Sequence, residues 1–191
     1  MQAFLQSSEV IDFDHPQVAA RSRDLAAGKT DPIEIAKACF EWVRDEIQHS
    51  GDIQQTGAAC AASEVLESGN GWCFGKSHLL VALLRANRIP AAFCYQRLTK
   101  DEHGGFTLHG LVSMYLPEHG WYRVDPRGNK KGVNAQFDPP REQLAWPSLS
   151  DGEIDFMQRF ADPIDSVCAW IAGNTSHQQA LDTLPDTIEL S

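Results

Sequence analysis

Apolar positions along the chain follow a helical period in the first half and an alternating one in the middle. Asp31-Pro32-Ile33-Glu34 reads as a helix start, with Asp31 as cap, Pro32 at the first position and Glu34 in the first turn. Ala36, Phe40, Val43 and Ile47 then recur at helical spacing, flanked by Ile35, Cys39 and Trp42, which gives one wide buried face. Before this helix, residues 1–13 suggest a short strand or irregular arm, and 14–28 a helix stopped at Gly28. Ser50 to Ala58 reads as a loop. Ser63 is placed to cap a short helix over 64–68, closed by Gly69-Asn70-Gly71. The next helix, about 74–86, is apolar on most of its surface, as a central helix buried on several sides would be. Asn87 stands where a left-handed residue can end it.

The period then changes to two. Residues 91–98, 106–116 and 121–125 read as strands joined by turns at 99–105 and 117–120. Residues 127–147 look like loop, being rich in Gly, Asn, Asp and Pro. Residues 151–171 suggest a helix interrupted at Asp162-Pro163, and the tail from 173 is polar. This order predicts an α+β fold: helices, among them a central one, packed against an antiparallel sheet. One domain over 1–191 is expected, with a core at about 32–128, a C-terminal helical extension at about 150–172 and a tail at 173–191.

Composition narrows the function. A formal net charge of −10 argues against nucleic acid and against an anionic membrane surface as partners. The N-terminal stretch has neither the basic region nor the apolar run of a signal or span. Five cysteines, an odd number without C-x-x-C pairing, point to free thiols in a reducing compartment, by default the cytoplasm. Cys39, Cys60, Cys94 and Cys168 read as small buried hydrophobes, and Arg85 and Arg88 as a solvated helix face.

Cys73 is different. It follows a glycine turn and opens the apolar helix, where backbone N–H groups without intrahelical partners favour a thiolate nucleophile. His109 and Asp125 follow on consecutive predicted strands, equidistant from Pro117. A hairpin centred there sets the two side chains opposite each other on one face. The carboxylate can then hold one ring nitrogen of His109 and leave the other facing Cys73. That is the logic of a thiol acyl-transfer triad: Cys73 attacks, His109 moves the proton and Asp125 fixes the tautomer. The N–H of Cys73 is a candidate oxyanion donor, and Trp72 a candidate wall of the substrate cleft. Cys73, His78, His103 and His109 match no zinc-ligand spacing, no calcium loop is visible, and no cofactor is expected.

The ordered set Gly71-Trp72-Cys73, Ser77, Leu79-Leu80, Leu83-Leu84-Arg85, Ile89-Pro90-Ala91, His109-Gly110 and Trp121 through Asp125-Pro126 resembles the core of the transglutaminase-like superfamily. Phe40 to Ile47 is similar to that family's V-R-D-x-I helix, and Glu64-Val65-Leu66 to its A-x-x-V-L segment. The resemblance implies a papain-like arrangement and a thioester formed with a peptide or protein amide. Hydrolysis, transfer to an amine and glutamine deamidation all pass through that intermediate. The short chain favours a peptidase- or amidase-type hydrolase, with protein-glutamine acyltransfer or deamidation as the alternative. Arylamine-type acetyl transfer is a further enzyme reading, for which the chain is short. A non-catalytic peptide-binding module that keeps the fold is the alternative of another class.

Overall fold

A computed structural model describes residues 1–100, 104–148 and 150–188. Its centre is helix α4 (Cys73–Ala86), whose residues 73–85 are all buried. A helix apolar on every side needs cover on every side. Helices α1 (Pro16–Ala26), α2 (Pro32–Glu46) and α3 (Ala62–Ser68) pack against it, and so does the sheet strand pair β3 (Ala91–Thr99) and β4 (Phe106–Leu116). Asp31 caps α2 as its sequence predicts, accepting from the Ile33 N–H at 2.9 Å. The buried face of α2 is Ala36, Cys39, Phe40 and Val43.

The start of α3 departs from expectation. Ala61, not Ser63, is the N-cap residue, and the Glu64 carboxylate accepts the N–H groups of Cys60 and Ala61 at 2.9 and 3.0 Å. The Ser63 N–H is taken by Asp12 at 3.0 Å. At the end of α4 Asn87 keeps a negative φ, and Arg88 takes the left-handed conformation at φ 61°. The Asn87 amide is used instead to tie Leu83 O and Ser22 Oγ at 3.0 and 2.8 Å.

The sheet is antiparallel throughout, in the order β5-β4-β3-β8, where β5 is Gly120–Val124 and β8 is Ile154–Phe160. Strand β8 corrects the helix expected over 151–171. Phe156 and Phe160, four residues apart, both pack against the core, a spacing that a strand with an irregular register satisfies as well as a helix. Register shifts between Phe93 and Tyr95, which pair Phe160 and Phe156. The helix that does follow, α5 (Asp165–Gly173), is shorter, and α6 (His177–Asp182) orders part of the tail. The stretch 127–147 is not all loop: β6 (Gln136–Asp138) and β7 (Arg141–Gln143) make a small hairpin. A two-residue parallel bridge joins β1 (Gln48–His49) to β2 (Asn70–Gly71), setting His49 beside Gly71 just ahead of α4. The tip of the turn after β3, residues 101–103 with His103, lies outside the described residues.

Arg85 is the other correction. It is 2% exposed, and its guanidinium donates to the carbonyls of Gln6, Ala91 and Ala161. Burial pushes it down to about 10.

Candidate active site

Cys73 is the first residue of α4, so its N–H has no acceptor inside the helix. Its carbonyl accepts from Ser77 Oγ at 2.8 Å, one turn on. Helix and strand approach closely here because Gly110 has no side chain. A Cβ at that position would lie 2.7 Å from Phe74 Cδ1. The neighbouring residue on β4 is His109, which lines the same cleft as Cys73.

The β4–β5 register is centred on Glu118 rather than Pro117, with Leu116 opposite Gly120 and Val112 opposite Val124. A one-residue shift of the centre moves every partner by two, so the shared face survives. Asp125, just past the end of β5, still meets His109, diagonally rather than directly: Nε2 lies 2.7 Å from Oδ2. That leaves Nδ1 for Cys73. Asp125 is fully buried and accepts two further bonds, from the N–H of Arg127 at 3.1 Å and of Ala145 at 3.2 Å. Burial would raise its carboxyl, but the His109 charge and these donors hold it below the usual range. Burial would equally lower the imidazole, yet the charges of Asp125 and Cys73 push it up to about 10. The ring of Trp146 stands edge-on to His109, 5.0 Å between centroids, and covers the pair.

Cys73 and His109 line a cleft of about 370 Å³ whose walls include Trp72, His49, Arg127, Trp146, Thr99, Thr107 and Leu184. The structure thus brings Cys73, His109, Asp125 and Trp72 together. Trp72 presents little free surface, at 4% exposure. Its Nε1 donates to Thr56 O at 2.8 Å, and its ring meets His49, Trp170 and His177. His78 stays apart, buried against Phe93 and bonded to Cys60 O at 2.8 Å. Among the described residues no group of His, Cys, Asp or Glu is arranged to hold a metal ion.

The sequence model described as the transglutaminase-like superfamily matches residues 19–126, from α1 to the residue after Asp125. The chain belongs to that superfamily. Among solved structures it is similar to a candidate cysteine protease from Cytophaga hutchinsonii, at 21% identity and a TM-score of 0.52. The match covers 65% of this chain but only 40% of that one. A structure named as a TGase matches over 94% of this chain and 52% of its own, at 14% identity and a TM-score of 0.46. The first of these likenesses concerns the fold alone. No curated protein matches the chain.

Around this transglutaminase-like core lie residues the sequence did not single out. Trp146 and Ala145 reach the His109–Asp125 pair from the loop after β7, where no period marks them. Arg127 forms a two-pronged ion pair with Asp52 at 2.6 and 2.8 Å, and Lys130 adds a third contact at 2.7 Å. Burial raises the Asp52 carboxyl, but these cations together hold it well below the ordinary range. His49 is kept neutral by burial and by Arg127, and its Nδ1 is buried without a hydrogen bond among the described residues, 4.0 Å from Asp52. Lys76, one turn into α4, is buried and donates to the carbonyls of Arg44 and Ile47 at the end of α2. Burial and Arg127 push it down to about 7.

Proposed function

We propose that this protein is a cysteine hydrolase that cleaves a peptide or protein amide through a thioester on Cys73. The observation that carries the reading is a buried His109–Asp125 pair at 2.7 Å beside a thiol at a helix start, all at one open cleft. Nδ1 of His109 takes the Cys73 proton, and Sγ attacks the carbonyl carbon. The oxygen that gains charge lies toward the N–H of Cys73 and the start of α4. The imidazolium protonates the leaving amine. Water then resolves the thioester, with His109 acting as base in the second half. Asp125 stays ionised, holding the ring and balancing its charge.

Transfer to an amine and deamidation use the same intermediate. The polar lining from Thr99, Thr107, Ser150 and Arg127 admits water to the thioester, which supports hydrolysis. Five free thiols support a reducing compartment such as the cytoplasm. No helix among the described residues is long and apolar enough to cross a membrane.

The test is the rate of iodoacetamide labelling at Cys73 against pH, located by mass spectrometry, in wild type and His109→Ala. Fast labelling below pH 8 that His109→Ala suppresses is the expected result. Labelling unaffected by His109→Ala would sink the thiol mechanism. Peptide products gaining water, rather than an added amine, then identify the acceptor.

A further inference from the structure

Strand β5 covers only part of β4. Their ladder runs from Leu116 to Val112, so β4 residues 106–111 have no strand partner on that side among the described residues. An open edge offers main-chain donors and acceptors to any extended segment. Here the edge lies beside the cleft, because Leu108 immediately precedes His109.

The chain's own C-terminal segment lies there. The Leu108 N–H donates to Pro185 O at 2.6 Å. Arg97 Nε donates to Asp186 O at 3.1 Å, and Ile188 is buried in the core beyond. Leu184 lines the cleft that holds Cys73 and His109. In an antiparallel pair, one residue's N–H and C=O face the same edge. Proline has no N–H, so Pro185 accepts from Leu108 and returns nothing to its carbonyl. Among the described residues that carbonyl receives only a 3.4 Å contact from Thr107 Oγ1.

We propose that the substrate is an extended peptide segment that binds as an added strand on β4 at Leu108, in the place held by residues 184–186, and that this segment is an internal competitor. The proposal rests on the reading of Cys73 as nucleophile. Pairing through main-chain groups recognises an extended peptide with little regard to its side chains. A substrate with an ordinary residue at the Pro185 position satisfies both the N–H and the C=O of Leu108, where the tail satisfies one. This makes the competitor the weaker binder and lets substrate displace it.

The experiment compares full-length wild type, Ile188→Asp and Pro185→Ala. Modification of Cys73 by an acetyl-tripeptidyl chloromethyl ketone is measured against modification by iodoacetamide, which needs no strand pairing. Ile188→Asp frees the tail, and the peptide reagent should react about tenfold faster, as expected when a competent state rises from a minor to the major population. Pro185→Ala supplies the missing N–H, and the same reagent should react several-fold more slowly. Iodoacetamide rates should match in all three proteins. Limited proteolysis and hydrogen exchange on the wild-type chain with saturating acetyl-tripeptide amide give a second reading: the tail after Leu184 becomes cleavable while the Leu108 amide keeps its exchange protection. Equal peptide-reagent rates in the three proteins, or a tail that stays protected, would overturn the proposal. Failure of iodoacetamide to label Cys73 would instead overturn the nucleophile, and the exchange experiment would still decide where the peptide binds.

Discussion

Replacing Asp125 with Asn changes one charge in a sealed site and nothing in its volume. Oδ2 of Asp125 accepts from both His109 and Ala145, and Oδ1 accepts from Arg127. An amide can present oxygen to only one of these sides, so at least one buried N–H loses its acceptor, at about 1–3 kcal/mol. The imidazolium also loses its counter-ion, and breaking a buried pair costs about 3–5 kcal/mol in all. The pH dependence is more specific. His109 is raised from 6.5 to about 10, so its stabilisation is complete below pH 6.5 and is lost as pH climbs through 10. Over 3.5 pH units this amounts to an upper bound of about 5 kcal/mol. Asp125 is lowered from 3.8, so its share is present above that value and fades in stronger acid. The difference in unfolding free energy between wild type and Asp125→Asn should therefore be largest near pH 5–6 and shrink steadily toward pH 10. Lys76, lowered from 10.5 to about 7, titrates over part of this range with the opposite sign. Asp125 is among the charges that support the Lys76 ammonium, so subtraction leaves a residual; it too is largest in acid and shrinks as pH rises, in the same direction as the His109 contribution. Urea unfolding at pH 5.5, 7.5 and 9.5 measures the difference. A gap that stays constant across the three pH values would refute the charge-paired His109. In parallel, any Cys73 reaction that needs protonated His109 should lose its alkaline limit near 10 in the variant and fail at lower pH.

Three other outcomes follow from the same structure. Gly110→Ala places a Cβ 2.7 Å from Phe74 Cδ1, and should destabilise by about 1–3 kcal/mol with slower Cys73 alkylation; Phe74→Leu in the same chain should restore part of both. Arg85→Met leaves the Gln6, Ala91 and Ala161 carbonyls without their donor, and urea unfolding should show a loss of about 3 kcal/mol or more. Cys39 and Cys94, pushed up by burial to about 12 and about 11, should resist iodoacetamide in the native protein at pH 8 and react only after unfolding.

Helix α4 and strand β4 were legible because each carries a long, unbroken pattern with punctuation at both ends. The side of the sheet shared by His109 and Asp125 was legible for a different reason: strand parity tolerates an error in the hairpin centre. Strand β8 was not, since Phe156 and Phe160 stand at a separation common to both periods and the bulge hides the alternation. Arg85 carried a usable signal that was read the wrong way. A helix apolar all round has no solvated face, so a charge on it must find partners inside. Trp146 and Ala145 gave no local signal at all, because a loop residue reaches a distant pair only through the packing of the whole chain.

The stretch matched by the family stops at Pro126, one residue past Asp125. Part of what encloses the pair lies later: the Ala145 N–H, the Trp146 ring and Leu184 at the cleft, with Trp170 and His177 against Trp72. The proposed triad therefore takes part of its enclosure from polypeptide beyond the stretch that carries Cys73, His109 and Asp125. A common chemical engine can then keep its parts fixed while the later stretch is rewritten, changing what enters and how wet the chamber is, without moving the sulfur or the ring.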